Sequence, residues 1–251
     1  MAKKDKALYI PPVLSLVVST LFVVAAIVMV ITGAAIGGDQ GIPGAYVGLA
    51  IILIFFAYLA GAIFSGTLSW MVLETVQGKK TSVGRGLGRA FSKTGSLLIY
   101  ALVSLVVALL AAELRKDARQ QNFIVSIIKG MFASMLQKAW DIASHLALPA
   151  IILTKNSFAG AMKEMPEMVK HLPQVLVGGF AFDFVVRWVY LIEVIFGVLM
   201  IFLIPYPVGL ILGIGFILLA ITVTYIFYSF VKDVYFTMLY IDLHPALKKK
   251  A

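Results

Sequence analysis

Ionisable side chains inside otherwise apolar stretches are where this chain could do chemistry. Lys138, Asp141 and His145 stand three and four residues apart in "QKAWDIASHLALP", a spacing that puts them on one helical face. Asp183, Arg187 and Tyr190 share a face in the next apolar stretch, with Glu193 close behind. A charge at the centre of a membrane helix costs roughly 2.5–3.5 kcal/mol on insertion scales, so such groups face protein or water. Acids, a histidine and bases in that setting suit a proton relay or the coordination of a small solute. They equally suit an interior network of paired charges. Pro149 cannot donate a backbone N–H, which leaves the carbonyl of His145 without its helical partner. A kink beside a histidine fits a hinge or relay, and it fits an ordinary bent helix.

A second stretch, "GRGLGRAFSKTG" (84–95), has the vocabulary of a phosphate-cradling loop. A P-loop needs Gly, four residues, Gly, Lys and then Ser or Thr, after a buried strand. Ser92 precedes Lys93 and Leu87 stands where the first glycine belongs, so both required glycines are missing. Periodicity gives a better reading. Val83, Leu87, Ala90 and Phe91 form an apolar stripe, Thr81 or Ser82 can cap its start, and Arg85 and Arg89 point elsewhere. This predicts an amphipathic helix over 82–92 on the inner membrane surface. Lys79, Lys80, Arg85, Arg89 and Lys93 would then contact anionic lipid headgroups or a protein partner.

Other chemistry finds no residues. The 251-residue chain has no cysteine, which removes disulfides, thiolate metal sites and cysteine nucleophiles. His145, His171 and His244 are too scattered for a haem pair, no metal-ligand spacing occurs, and no Gly-x-Ser-x-Gly elbow is present. No cofactor and no enzymatic activity are expected.

The elements that must position these groups follow from composition. Hydrophobic residues make up 61% and charged residues 13% of the chain, against about 25% charged in soluble domains. Mean hydropathy is +1.01. Several uncharged stretches reach the roughly 20 residues that cross a bilayer. The expected fold is therefore an all-α, polytopic transmembrane bundle forming one membrane domain. Its six spans run over about 8–36, 45–75, 96–113, 123–153, 173–204 and 208–241. The first apolar run far exceeds a signal-peptide core, so it reads as a retained helix. Basic residues orient the spans. With the N-terminus inside, fourteen fall on the inner side (Lys3, Lys4, Lys6, Lys79, Lys80, Arg85, Arg89, Lys93, Lys155, Lys163, Lys170 and Lys248 to Lys250), against Arg115, Lys116 and Arg119 outside. Both termini are expected in the cytoplasm and the protein in the cell membrane. The net charge of +9 is then explained without nucleic acid.

The next inner loop repeats the device. In 157–170, Ser157 is a cap candidate and Phe158, Ala161, Met162, Met165 and Val169 form a stripe. Sliding the chain by 75 residues lays Ser82-Val83 on Ser157-Phe158 and Leu87 on Met162, a weak internal repeat of span, surface helix and span. At 1.5 Å per residue, His145 lies ~12 Å and Asp141 ~18 Å up the fourth span, and Asp183 ~15 Å and Arg187 ~21 Å up the fifth. If these antiparallel spans are neighbours, Asp141 meets Arg187 and His145 meets Asp183 near mid-membrane, with Glu193 near Lys138 or Lys129. Small residues four apart (Gly44 and Gly48; Ala57, Gly61 and Ser65; Gly209 and Gly213) mark close helix contacts within or between chains.

The stretch "AWDIASHLALPAIILTKNSFAGAMKEM" resembles a pattern in a family of uncharacterised bacterial and archaeal membrane proteins, loosely related to the membrane domain of glycerophosphoryl diester phosphodiesterase. Trp140, Pro149 and Ala161 match, and "ETVQGKKTSVGRGLGRAF" resembles the family's first cytoplasmic loop. Asp141 and His145 depart from its mostly apolar pattern. The resemblance implies a fold and no established activity or catalytic residues. On these grounds the chain is expected to be a non-catalytic accessory or scaffold subunit of a membrane assembly, associating with lipid and with a membrane protein or itself. The alternative is a carrier or channel for a small solute, proton or lipid that uses the charged cluster. An aqueous cavity reaching that cluster separates the two.

Overall fold

A computed structural model describes residues 6–38, 41–119, 123–169 and 180–248. It contains eight α-helices among these residues and no strand. They are α1 (Ile10–Gly37), α2 (Gly44–Val76), α3 (Val83–Phe91), α4 (Thr94–Arg119), α5 (Phe123–Leu153), α6 (Phe158–Val169), α7 (Phe182–Leu203) and α8 (Val208–Leu243). The expected start of the fifth span, 173–179, lies outside the described residues, as do Lys3, Lys4, Lys170, His171, Lys249 and Lys250.

Five helices are long and apolar enough to cross a membrane: those over Lys6–Gly37, Gly44–Val76, Thr94–Lys116, Phe182–Leu203 and Val208–Leu243. The chain is thus a multi-pass membrane protein. α5 is equally long at 31 residues, but Lys129, Lys138, Asp141 and His145 dilute its hydropathy.

The long helices pair as antiparallel hairpins, α1 with α2, α4 with α5, and α7 with α8. The two short helices bind the hairpins together at one end. α3 packs on α2 and α4, and α6 packs on α5 and α4. Ser82 caps α3 by accepting the amide of Arg85, and the Ser157 hydroxyl accepts the amide of Gly160 at the start of α6. The glycine-rich opening of α3 has a packing reason at one position. A Cβ on Gly86 would lie 2.8 Å from Thr67 Cγ2 and 2.9 Å from its carbonyl oxygen, so only glycine lets α3 sit down on α2.

Burial is uneven along the bundle. The core gathers at the short-helix end, where Leu68 and Met71 of α2, Leu146 and Ile151 of α5, and Phe236 and Tyr240 of α8 are all but inaccessible. The opposite end is open and apolar. Ile31 is 64% exposed, Phe202 81% and Leu203 78%, apolar surface that is costly to leave against water. Leu8 enters the same core, Tyr9 stacks on Phe230, and Gln77 donates to the carbonyl of Leu247. Residues 6–9 and 244–247 therefore lie at the short-helix end together.

α7 leans chiefly on α8. Their crossing is made by Gly197, Gly209 and Gly213. A Cβ on Gly213 would stand 2.4 Å from Ile201 Cγ1 and 2.5 Å from the Gly197 carbonyl oxygen. The small-residue pair Gly209 and Gly213 is thus used inside the chain. Gly44, Gly48 and Gly61 face open space.

Candidate functional site

Four of the sequence-selected residues meet, and α8 completes them. Lys232 on α8 donates to Asp141 Oδ2 at 2.7 Å and lies 3.4 Å from Asp183 Oδ1. Lys138 pairs with Asp183 and lies 3.4 Å from Asp141 Oδ2. Tyr228, one turn before Lys232, donates to Asp183 and accepts from Lys232 at 2.9 Å. Two carboxylates are thus held by two lysines on three helices. Charges in low dielectric need such mutual compensation, because each alone would forfeit its hydration.

His145 extends the network. Its Nδ1 lies 2.6 Å from the Asp141 carbonyl oxygen and 3.5 Å from Asp141 Oδ1, while Nε2 lies 3.5 Å from Asp233 Oδ1. The imidazole therefore stands between two carboxylates. Phe236 packs against the ring at a centroid distance of 5.3 Å.

Three cavities border this chain of groups. One of about 760 Å³ is lined by Arg115, Lys138, Asp141, Asp183, Arg187 and Tyr228, with Phe180, Phe184 and Met135 as apolar walls. A second, of about 410 Å³, holds His145 and Asp233 beneath the hydroxyls of Ser15, Ser19, Ser65, Tyr58 and Tyr225. A third, of about 290 Å³, touches Asp141, Tyr58 and Tyr100 and so adjoins both.

The pairings differ from those expected. Asp141 is held by Lys232 and Lys138, not by Arg187; His145 faces Asp233, not Asp183. The reason is that α5 and α7 do not pack as a pair. α8 packs on each, and its Lys232 fills the place between the two aspartates. Arg187 instead lines the 760 Å³ cavity and makes no ion pair among the described residues. Glu193 meets neither Lys138 nor Lys129. It accepts from Thr224, and its Oε2 is buried without a hydrogen-bond partner among the described residues. The level is off-centre too. By helical rise Asp141 lies ~18 Å from Leu153, while Asp183 lies ~30 Å from Leu203, so the cluster is nearer the short-helix end.

The basic residues in and around α3 are mostly occupied by protein. Arg89 donates to the carbonyls of Ile152 and Thr154 at 2.8 and 2.7 Å and sits 5.3 Å over the Trp70 ring. Lys93 donates to the carbonyl of Asn156 at 3.0 Å. Arg89 caps the C-terminal end of α5, where unpaired carbonyls attract cations, and Lys93 holds the turn that follows. Arg85 pairs with buried Glu74 at 2.7 Å, and that hydrogen bond holds its pKa above the ordinary guanidinium value. Glu74 also accepts from Trp70 Nε1 and from the amide of Ser82. Lys79 and Lys80 are exposed and remain the candidates for headgroup contact.

Comparison with known proteins finds no matching family model, no matching curated protein and no matching solved structure. Among the described residues, no group of three His, Asp or Glu side chains is placed to hold a metal ion.

Proposed function

We propose that the protein is a non-catalytic membrane carrier that moves a small solute in company with protons through the Asp141–His145–Asp233 relay. One observation carries this reading: the two ring nitrogens of His145 face two carboxylates that line different cavities. Neutral imidazole accepts a proton at one nitrogen and releases another from the opposite side, so a fixed ring can pass protons between the two. The test is proton uptake by proteoliposomes under an imposed pH gradient, with a panel of small organic acids on either side. Uptake should fall to the background of empty vesicles with His145→Gln. Uptake that is unchanged by that substitution overturns the relay.

Six crossings belong to this proposal. Residues 6–9 and 244–247 lie at one end of the bundle, which favours an even number of passes over the five apolar helices alone. α5 supplies the sixth, its charges turned to cavities and to α8. Both termini are assigned to the cytoplasm of a cell-membrane protein on the distribution of basic residues. A reporter fused after Lys248 and active outside the cytoplasm contradicts that. The parallel arrangement of α2–α3–α4 and α5–α6–α7 favours the internal repeat. Kinship with the membrane-protein family loosely related to the glycerophosphoryl diester phosphodiesterase membrane domain is proposed on Trp140, Pro149 and Ala161.

A second reading, an accessory or scaffold subunit, is favoured by the outer flank of α7. Phe184, Trp188, Ile195 and Phe202 are all more than a third exposed there. Gentle extraction from the native membrane that brings down a stoichiometric membrane partner would support it.

A further inference from the structure

We infer that the 760 Å³ cavity is a binding site for an oxyanion, a phosphate or carboxylate group, held by Arg115 and Arg187. The assignment rests on the carrier reading for its purpose and puts an anion that carries an acyl chain in the place of that reading's small solute.

Charge accounting leads to it. Five charged side chains line the cavity: Arg115, Lys138, Arg187, Asp141 and Asp183. Both carboxylates are already engaged by Lys138 and by Lys232 from behind the wall. Two acids and two lysines cancel, which leaves the guanidiniums of Arg115 and Arg187 facing the space. Among the described residues neither has a carboxylate partner. Arg115 donates to the neutral side-chain oxygen of Gln137, itself on the cavity wall. Two forked donors beside a water-accessible hollow, at a level flanked by apolar helices, are an electrostatic sink for an anion.

The walls indicate its source. Met135, Phe180 and Phe184 are 66%, 53% and 64% exposed and line the same hollow. A free inorganic anion gains nothing from such walls. An anion carrying an acyl chain does, so the structure favours a lipid headgroup over a free oxyanion.

Binding is measured on the detergent-solubilised full chain without any gradient, so that its failure is separable from a failure of proton movement. The probes are phosphatidylglycerol, phosphatidylcholine and inorganic phosphate, read by native mass spectrometry and by the shift in melting temperature. Phosphatidylglycerol should bind in preference to phosphatidylcholine, and Arg115→Gln and Arg187→Gln should each weaken it about tenfold. Arg187→Lys should retain part of the affinity by keeping the charge. Equal melting temperatures of the lipid-free proteins establish that the variants fold. Phosphate alone binding with the same arginine dependence supports the oxyanion site and assigns it to a free anion. Binding of phosphatidylglycerol no better than phosphatidylcholine together with no binding of phosphate, or binding indifferent to both arginines, overturns the site.

Discussion

Lys232 of α8 reaches across to Asp141 of α5, Nζ to Oδ2 at 2.7 Å, with 3% of the lysine side chain exposed. Asp141 is 32% exposed, so the pair is desolvated mainly on the lysine side. Lys232→Met removes the more buried of the two cations shared by the aspartates and should destabilise the protein by about 3 kcal/mol, the lower end for breaking a buried pair. Adding Asp141→Asn should cost less than the sum of the two single changes. Arg187→Gln and Asp141→Asn should instead add. Melting temperatures of the set in one detergent decide it; strict additivity for Lys232 with Asp141 would dismiss the pair.

Arg89 joins two helices that are 63 residues apart in the chain. Arg89→Ala should leave the Ile152 and Thr154 carbonyls unpaired at about 1–3 kcal/mol each. Arg89→Lys should recover part of the loss, since one ammonium cannot reproduce the fork. Protease sensitivity of the 154–157 turn is the second readout, and it should rise in the alanine variant.

Glu74 is a second latch at the same end. Its Oε1 accepts from Arg85 and Trp70 and its Oε2 from the Ser82 amide, so all three donors need a carboxylate. Glu74→Gln points an amide NH₂ at another donor and should cost about 1.5–3 kcal/mol, in the range of hydrogen bonds to charged groups. Arg85→Ala should cost far less, because its side chain is 58% exposed. Equal effects from the two would contradict this account.

Glycine at the α7–α8 crossing can be tested against a neighbour. Gly213→Leu must push the helices apart and should cost about 1–3 kcal/mol or more. Gly215→Leu, where an added Cβ meets nothing within 4 Å, should be tolerated. A cysteine pair placed across the far ends of the two helices should crosslink in the Gly215 variant and fail to in the Gly213 variant.

Hydropathy alone carried the long helices, because a segment that crosses lipid must bury its own backbone hydrogen bonds and announces itself by length. Apolar stripes and the caps Ser82 and Ser157 located α3 and α6 within a residue or two. The facing of Lys138, Asp141 and His145 was legible from spacing on one helix. Their partners were not, because spacing says nothing about which helix lies opposite. The signal for Lys232 and Asp233 was nonetheless present: an adjacent Lys-Asp in "SFVKDVYF", with Tyr228 one turn earlier, inside a span otherwise without charge. The role of Arg89 was hidden for a related reason. An arginine on a surface helix looks the same in sequence whether it meets a phosphate or the carbonyl end of another helix.

The uneven packing makes the bundle a clamp with a stiff base and compliant arms. The α1–α2 and α7–α8 hairpins meet the rest of the bundle in the core at the short-helix end, and beyond it each hairpin is held mainly by its own two helices. A small rotation at the base is multiplied with distance along each arm, so the tips sweep further than the side chains that hinge them. The cluster of Asp141, Asp183 and Lys232 sits where the arms leave the base, at the fulcrum. A change of charge there would act on both hairpins at the end where they are packed, away from the tips.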